Sequence, residues 1–182
     1  MRKNANQSGS APMAVIVIGV SGCGKSTVGA LLAERLGCRF LEGDMFHDAA
    51  AIEKMRRGDP LTDEDRWPWL DRIGEAVASA AASEGTIVVA CSALRRAYRD
   101  RMRAAIPVRT HFVLLDNSRE EILRRLAART HEFMPASLLD SQFATLERPS
   151  ADEPVLVLLS NASPEALCRM AVERLTSLQV RA

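Results

Sequence analysis

Residues 19–26 read Gly-Val-Ser-Gly-Cys-Gly-Lys-Ser, a full G-x-x-x-x-G-K-[ST] phosphate-binding loop, and its flanks constrain the fold. The apolar, β-branched run 14–18 stops at Gly19, as a buried parallel strand does. After the loop, Val28, Leu31, Leu32 and Leu36 recur at helical spacing. A glycine-rich turn between such a strand and helix lets backbone N–H groups converge on an anion at the helix N-terminus. Gly19, Val20, Ser21, Gly22, Cys23, Gly24, Lys25, Ser26 and Thr27 are therefore the expected phosphate cradle. Within it Lys25 is expected to reach the β- and γ-phosphates, and the Ser26 hydroxyl to bind Mg²⁺. The pattern predicts binding of a nucleoside triphosphate.

A chain of 182 residues suffices for one domain with a real core. The net charge of +1 gives no electrostatic case for a nucleic-acid or membrane partner. No apolar run approaches bilayer-spanning length or has the flanks of a signal peptide. The cysteines (Cys23, Cys38, Cys91, Cys168) lack metal-ligand spacing and read as reduced thiols of a cytoplasmic enzyme. Residues 1–12 are polar and aperiodic and read as a disordered leader, with Met13 a second candidate start before a domain over 13–182.

Strand-like runs at 14–18, 39–41, 86–91, 110–115 and 155–159 alternate with helical patterns near 27–36, 49–57, 66–83, 95–105, 119–129, 136–146 and 164–178. That alternation predicts an α/β fold of the phosphate-loop NTPase type, with a five-stranded parallel sheet flanked by helices. Ser118 with Glu121 reads as a capping box, and Ser163-Pro164-Glu165 as a helix start. Two polar excursions break the alternation, at 43–70 and 129–151. Stability does not require loops of this length, so they read as functional loops, and the resemblance to phosphate-loop kinases implies an acceptor-binding region over about 43–70 and a lid over about 129–140.

The blocks Glu42-Gly43-Asp44-Met45-Phe46-His47, Ile52-Glu53-Lys54-Met55, 58–66 and Pro68-Trp69-Leu70 resemble the gluconokinase family. So do Cys91-Ser92-Ala93-Leu94-Arg95, Tyr98-Arg99-Asp100, Ser141-Gln142-Phe143 and Leu146-Glu147. With the phosphate loop they cover almost everything from Val15 to about Glu153. The resemblance implies a fold like that of shikimate and nucleoside-monophosphate kinases. It also implies ATP and Mg²⁺ as cofactors, transfer of the γ-phosphate to the 6-hydroxyl of D-gluconate, and a homodimer. The chain departs from common family residues at Asp48, Ala51 and Arg95, and over Thr130-His131-Glu132-Phe133. The alternatives are a kinase of another small hydroxy acid, such as shikimate, and a non-catalytic nucleotide-binding regulator.

Phosphoryl transfer asks a protein mostly for positioning and charge neutralisation. Asp44 lies just past the second strand, at the carboxyl end of the sheet, placed to accept the acceptor's proton and to help hold Mg²⁺ through water. Its bland alternative is a turn aspartate. His47 would offer hydrogen bonds to sugar hydroxyls, or be a surface histidine. Lys54, Arg66 and Arg95 are candidates for the gluconate carboxylate. The arginines rank first for their planar fork, and a solvated helix-face charge is the alternative for each. Arg125 and Arg129 stand four apart on one helix face. The resemblance gives them roles near the adenine and the phosphates, and Lys25, Asp44, Arg125 and Arg129 form the expected catalytic set. The run 86–91 ends without the aspartate usual for metal binding, so Mg²⁺ would lean on Ser26, Asp44 and waters. Cys23 is expected to supply backbone N–H rather than a reactive thiol, and Trp67 and Trp69 to pack the acceptor region onto the sheet.

Overall fold

A computed structural model describes residues 11–128 and 136–180. Five parallel strands, β1 (Met13–Ile18), β2 (Arg39–Glu42), β3 (Ile87–Ala90), β4 (Arg109–Asp116) and β5 (Val155–Leu159), lie in the order β2-β3-β1-β4-β5. Every pairing is parallel, with Val15 opposite Val88 on one side and His111 on the other. The helices are α1 (Lys25–Leu36), α2 (Ala49–Arg56), α3 (Asp63–Glu84), α4 (Arg96–Ala105), α5 (Arg119–Ala127), α6 (Ala136–Thr145) and α7 (Pro164–Val180).

The two-residue period of a strand divides the core between the faces of the sheet. In β1, Met13, Val15 and Val17 pack with Val28 and Leu32 of α1 and with Leu167, Ala171 and Leu175 of α7. Ala14, Ile16 and Ile18 point the other way, against Trp69, Ile73 and Val77 of α3 and Tyr98 and Met102 of α4. β1 is buried on both faces, so its sequence is a continuous apolar run rather than an alternation. Each fully buried Val, Ile or Leu contributes about 1.5–3 kcal/mol, which fixes this strand as the centre.

The expected strands and helices all occur, with shifted ends. α3 begins at Asp63, ahead of its apolar spacing, because Thr62 and Asp65 close a capping box there. The box expected at Ser118 is half formed. The Ser118 hydroxyl accepts the Glu121 N–H, but the Glu121 carboxylate turns to Arg124 and Arg125. Since the strands are parallel, their carboxyl ends share one edge, where the loops after β1, β2 and β3 meet.

Candidate active site

The phosphate loop leaves β1 at Gly19 and enters α1 through Gly24, whose φ of 98° lies in the left-handed region that glycine tolerates. No side chain caps α1 and its first turn holds no acid, so its leading N–H groups stay available to an anion. Lys25 Nζ donates to the Val20 carbonyl at 3.0 Å, a contact it can exchange for phosphate oxygens. Ser26 presents an exposed hydroxyl in the same turn. Cys23 is fully buried, and burial pushes its thiol up despite Lys25 nearby, so it serves the loop through its backbone. This donor set fits a polyphosphate. Among the described residues no group of three or more His, Cys, Asp or Glu gathers to hold a metal alone. A divalent ion fits here only with oxygens from Ser26, Asp44 and the phosphates together.

The cavity wall facing the phosphate loop is built by the turn after β2 and the start of α3. After Glu42 the chain tightens into a 3₁₀ turn over Gly43–Phe46, which sets out Asp44. A Cβ at Gly43 would collide with the Ala90 carbonyl oxygen, so only glycine lets the turn lie against β3. Trp69 is buried, donates from Nε1 to the Gly43 carbonyl at 2.8 Å, and stacks on His47 with ring centroids 4.3 Å apart. Burial holds the His47 imidazole below its ordinary pKa, with Asp44 pulling the other way, so it is neutral at pH 7. Its Nδ1 is buried with no hydrogen-bond partner among the described residues. Asp48, a departure from common family residues, caps α2 by accepting from Ala51 N at 2.8 Å.

Lys25, Asp44, His47 and Arg66 line one cavity of about 380 Å³, with Ser21 on the loop side and Ser92 beyond β3. The three candidate carboxylate binders separate here. Arg66 lines the cavity, with its side chain 13% exposed, and donates to the Tyr98 hydroxyl at 3.1 Å. Lys54 pairs with Asp65 and Arg95 with Asp63, each at 2.7 Å, and neither lines the cavity. Sequence reasoning missed Arg56, Ser92, Ser141 and Gln142, which also line it. Arg56 shares the helix face of Ile52 and Met55, a spacing signal that could have found it.

The turn after β3 carries no aspartate and meets the phosphate loop through its backbone. Ala93 has φ 37°, and Gly19 N donates to the Ser92 carbonyl at 3.3 Å. Arg99 holds this turn by donating to the Ala93 and Leu94 carbonyls, while its fork meets buried Glu153 at 2.5 and 2.7 Å. On the opposite flank, Arg125 donates to Glu121, to the Cys23 carbonyl at 3.3 Å and to the Ser160 carbonyl and hydroxyl. It thus ties the phosphate loop to the segment after β5. Arg129 and the expected lid segment over 129–135 lie outside the described residues. The rest of that expected lid, 136–140, is the start of α6.

A family model described as an AAA domain matches residues 15–149. A gluconokinase from Gluconobacter oxydans (strain 621H) is 44% identical over 168 residues, covering 92% of this chain and 93% of that protein. The thermosensitive gluconokinase of Escherichia coli (strain K12) is 44% identical over 161 residues, covering 86% of each. The crystal structure of a gluconokinase from Sinorhizobium meliloti 1021 superposes with a TM-score of 0.85 at 42% identity, covering 93% of this chain and 95% of that one.

Proposed function

The chain belongs to the gluconokinase family, and from that premise we propose how its residues carry the terminal phosphoryl group of ATP to the 6-hydroxyl of D-gluconate. One observation carries this reading: the phosphate-loop Lys25 and the acceptor-side Asp44, His47 and Arg66 share a single cavity. A phosphoryl group delivered by the loop therefore meets a hydroxyl acceptor within the same cavity.

Arg66 binds the gluconate carboxylate through its planar fork, held in place by Tyr98. Neutral His47 hydrogen-bonds the sugar hydroxyls and is kept flat against Trp69. Asp44 accepts the proton of the 6-hydroxyl as its oxygen bonds to the γ-phosphorus and the bond to the β-phosphate bridging oxygen breaks. Lys25 leaves the Val20 carbonyl to neutralise charge on the transferring group, and the N–H groups from Gly22 to Thr27 hold the phosphates. Mg²⁺, when bound, supplies charge neutralisation at the phosphate oxygens, held by Ser26 and, through water, Asp44. Arg125 supports the nucleotide side from its seat on the Cys23 carbonyl, and Arg129 is its expected companion there. The enzyme works on a small molecule in the cytoplasm, and the assembly implied by family membership is a homodimer.

The test is the position of the new ester. Incubation with ATP, Mg²⁺ and D-gluconate should give a product whose phosphorus couples to the C6 protons in ³¹P–¹H correlation spectra. Coupling to any other carbon's protons, or no gluconate-dependent ester at all, contradicts the proposed acceptor geometry.

A further inference from the structure

We propose that Gln142 reads the terminal phosphate of the nucleotide: its carboxamide holds the Ser21 N–H while that position is empty, then gives it up and donates to the transferring phosphoryl group. The proposal rests on the ATP-dependent transfer described above. The Ser21 N–H donates to Gln142 Oε1 at 2.6 Å, across 121 residues of sequence. Ser21 lies at the start of the loop, away from the helix end that grips the inner phosphates. It lines the same cavity as Lys25 and Asp44, and so does Gln142. That cavity is where the group in transit must pass between loop and acceptor.

Gln142 is anchored by contacts on both sides of its helix. On α6, Leu139 is fully buried and Phe143 packs against the same core, while Leu138, Ser141 and Gln142 form the cavity-facing stripe. The end of α6 is tied to the turn after β3, because Glu147 N donates to the Leu94 carbonyl at 2.9 Å and the Glu147 carboxylate accepts the Arg96 N–H at 2.8 Å. Arg119 holds Asp140 at 2.6 Å on the α5 side. These contacts position the side chain against the loop. The carboxamide also has the right chemistry for an exchange. Its oxygen accepts the backbone N–H, and its nitrogen, which forms no hydrogen bond among the described residues, is a donor suited to a phosphoryl oxygen. A carboxylate at this position could do only the first job.

The experiment measures binding of ADP and of the β,γ-imido analogue of ATP by calorimetry, with Mg²⁺, for the wild type, Gln142→Glu and Gln142→Ala. Gln142→Glu preserves an acceptor for Ser21 N–H but sets a negative charge against the terminal phosphate. The analogue's affinity should fall about tenfold or more, the scale of a lost hydrogen bond to a charged group, while ADP changes less than about twofold. In Gln142→Ala, kcat should fall about tenfold with the KM for gluconate unchanged. Equal losses for both nucleotides, or unfolding of both variants, would make Gln142 a loop support, and these results or no change for either nucleotide would overturn the proposal. A wild type that binds the analogue but releases no ADP with gluconate would instead count against the transfer reading itself.

Discussion

At the residue scale, the site is decided by which charges face the cavity. Lys54 pairs with Asp65 and Arg95 with Asp63 away from it, whereas Arg66, 3.9 Å from the same Asp63, lines it. Arg66→Ala should therefore raise the KM for gluconate about 10- to 100-fold in steady-state assays, the loss of one charge-assisted carboxylate contact. Lys54→Ala should leave that KM within about twofold, since it removes only a partly exposed ion pair. Asp44→Asn keeps shape and removes the proton acceptor. It should cut kcat by about 10²–10⁴-fold while the melting temperature and binding of an ATP analogue survive. Turnover near wild type would return Asp44 to a turn residue. Residue type alone ranked the arginines above Lys54, but nothing in the sequence separates Arg66 from Arg95. That distinction depends on the closed fold, which sets Arg66 in the cavity lining and leaves Arg95 outside it, paired with Asp63 across 32 residues.

At the element scale, the pieces are legible because each is stated locally. The apolar run at β1, the glycines of the loop and the spacing in α1 all lie within a few residues of what they determine. Less legible are the joints. The turn after β2 depends on Gly43 meeting Ala90, and the turn after β3 on Arg99 meeting Glu153, contacts between residues far apart in sequence. The Gln142–Ser21 bond has the same character, so a recognisable Ser-Gln-Phe block carried no role until the fold closed. Arg99 holds the Glu153 carboxyl below its ordinary value of 4.5. A depressed folded-state value means the pair's contribution is fully present above about pH 4.5 and is lost as pH falls through the lower folded value. Glu153→Gln strands a buried guanidinium, so urea unfolding at pH 7 should show a loss of about 3–5 kcal/mol. The same variant should lose less further stability than wild type between about pH 5 and 3, because the titrating partner is gone. An equally steep acid limb would place the acid sensitivity in other carboxylates.

At the scale of the whole molecule, one architectural fact organises the chemistry: parallel strands put all their outgoing loops at one edge. The loop after β1 brings Ser21 and Lys25 to the cavity, the turn after β2 brings Asp44, and the turn after β3 brings Ser92. α3 then seals the acceptor side by burying Trp69 against Gly43. On the proposed function, acceptor choice belongs to the 43–70 excursion and not to the sheet. The most direct measurement is ADP release with D-gluconate, shikimate, other sugar acids and nucleoside monophosphates as acceptors, at fixed ATP and Mg²⁺. D-Gluconate should give the highest kcat/KM of the set. A tenfold advantage for shikimate or a nucleoside monophosphate, about 1.4 kcal/mol of transition-state binding in the wrong direction, would contradict the assignment of the cavity to gluconate.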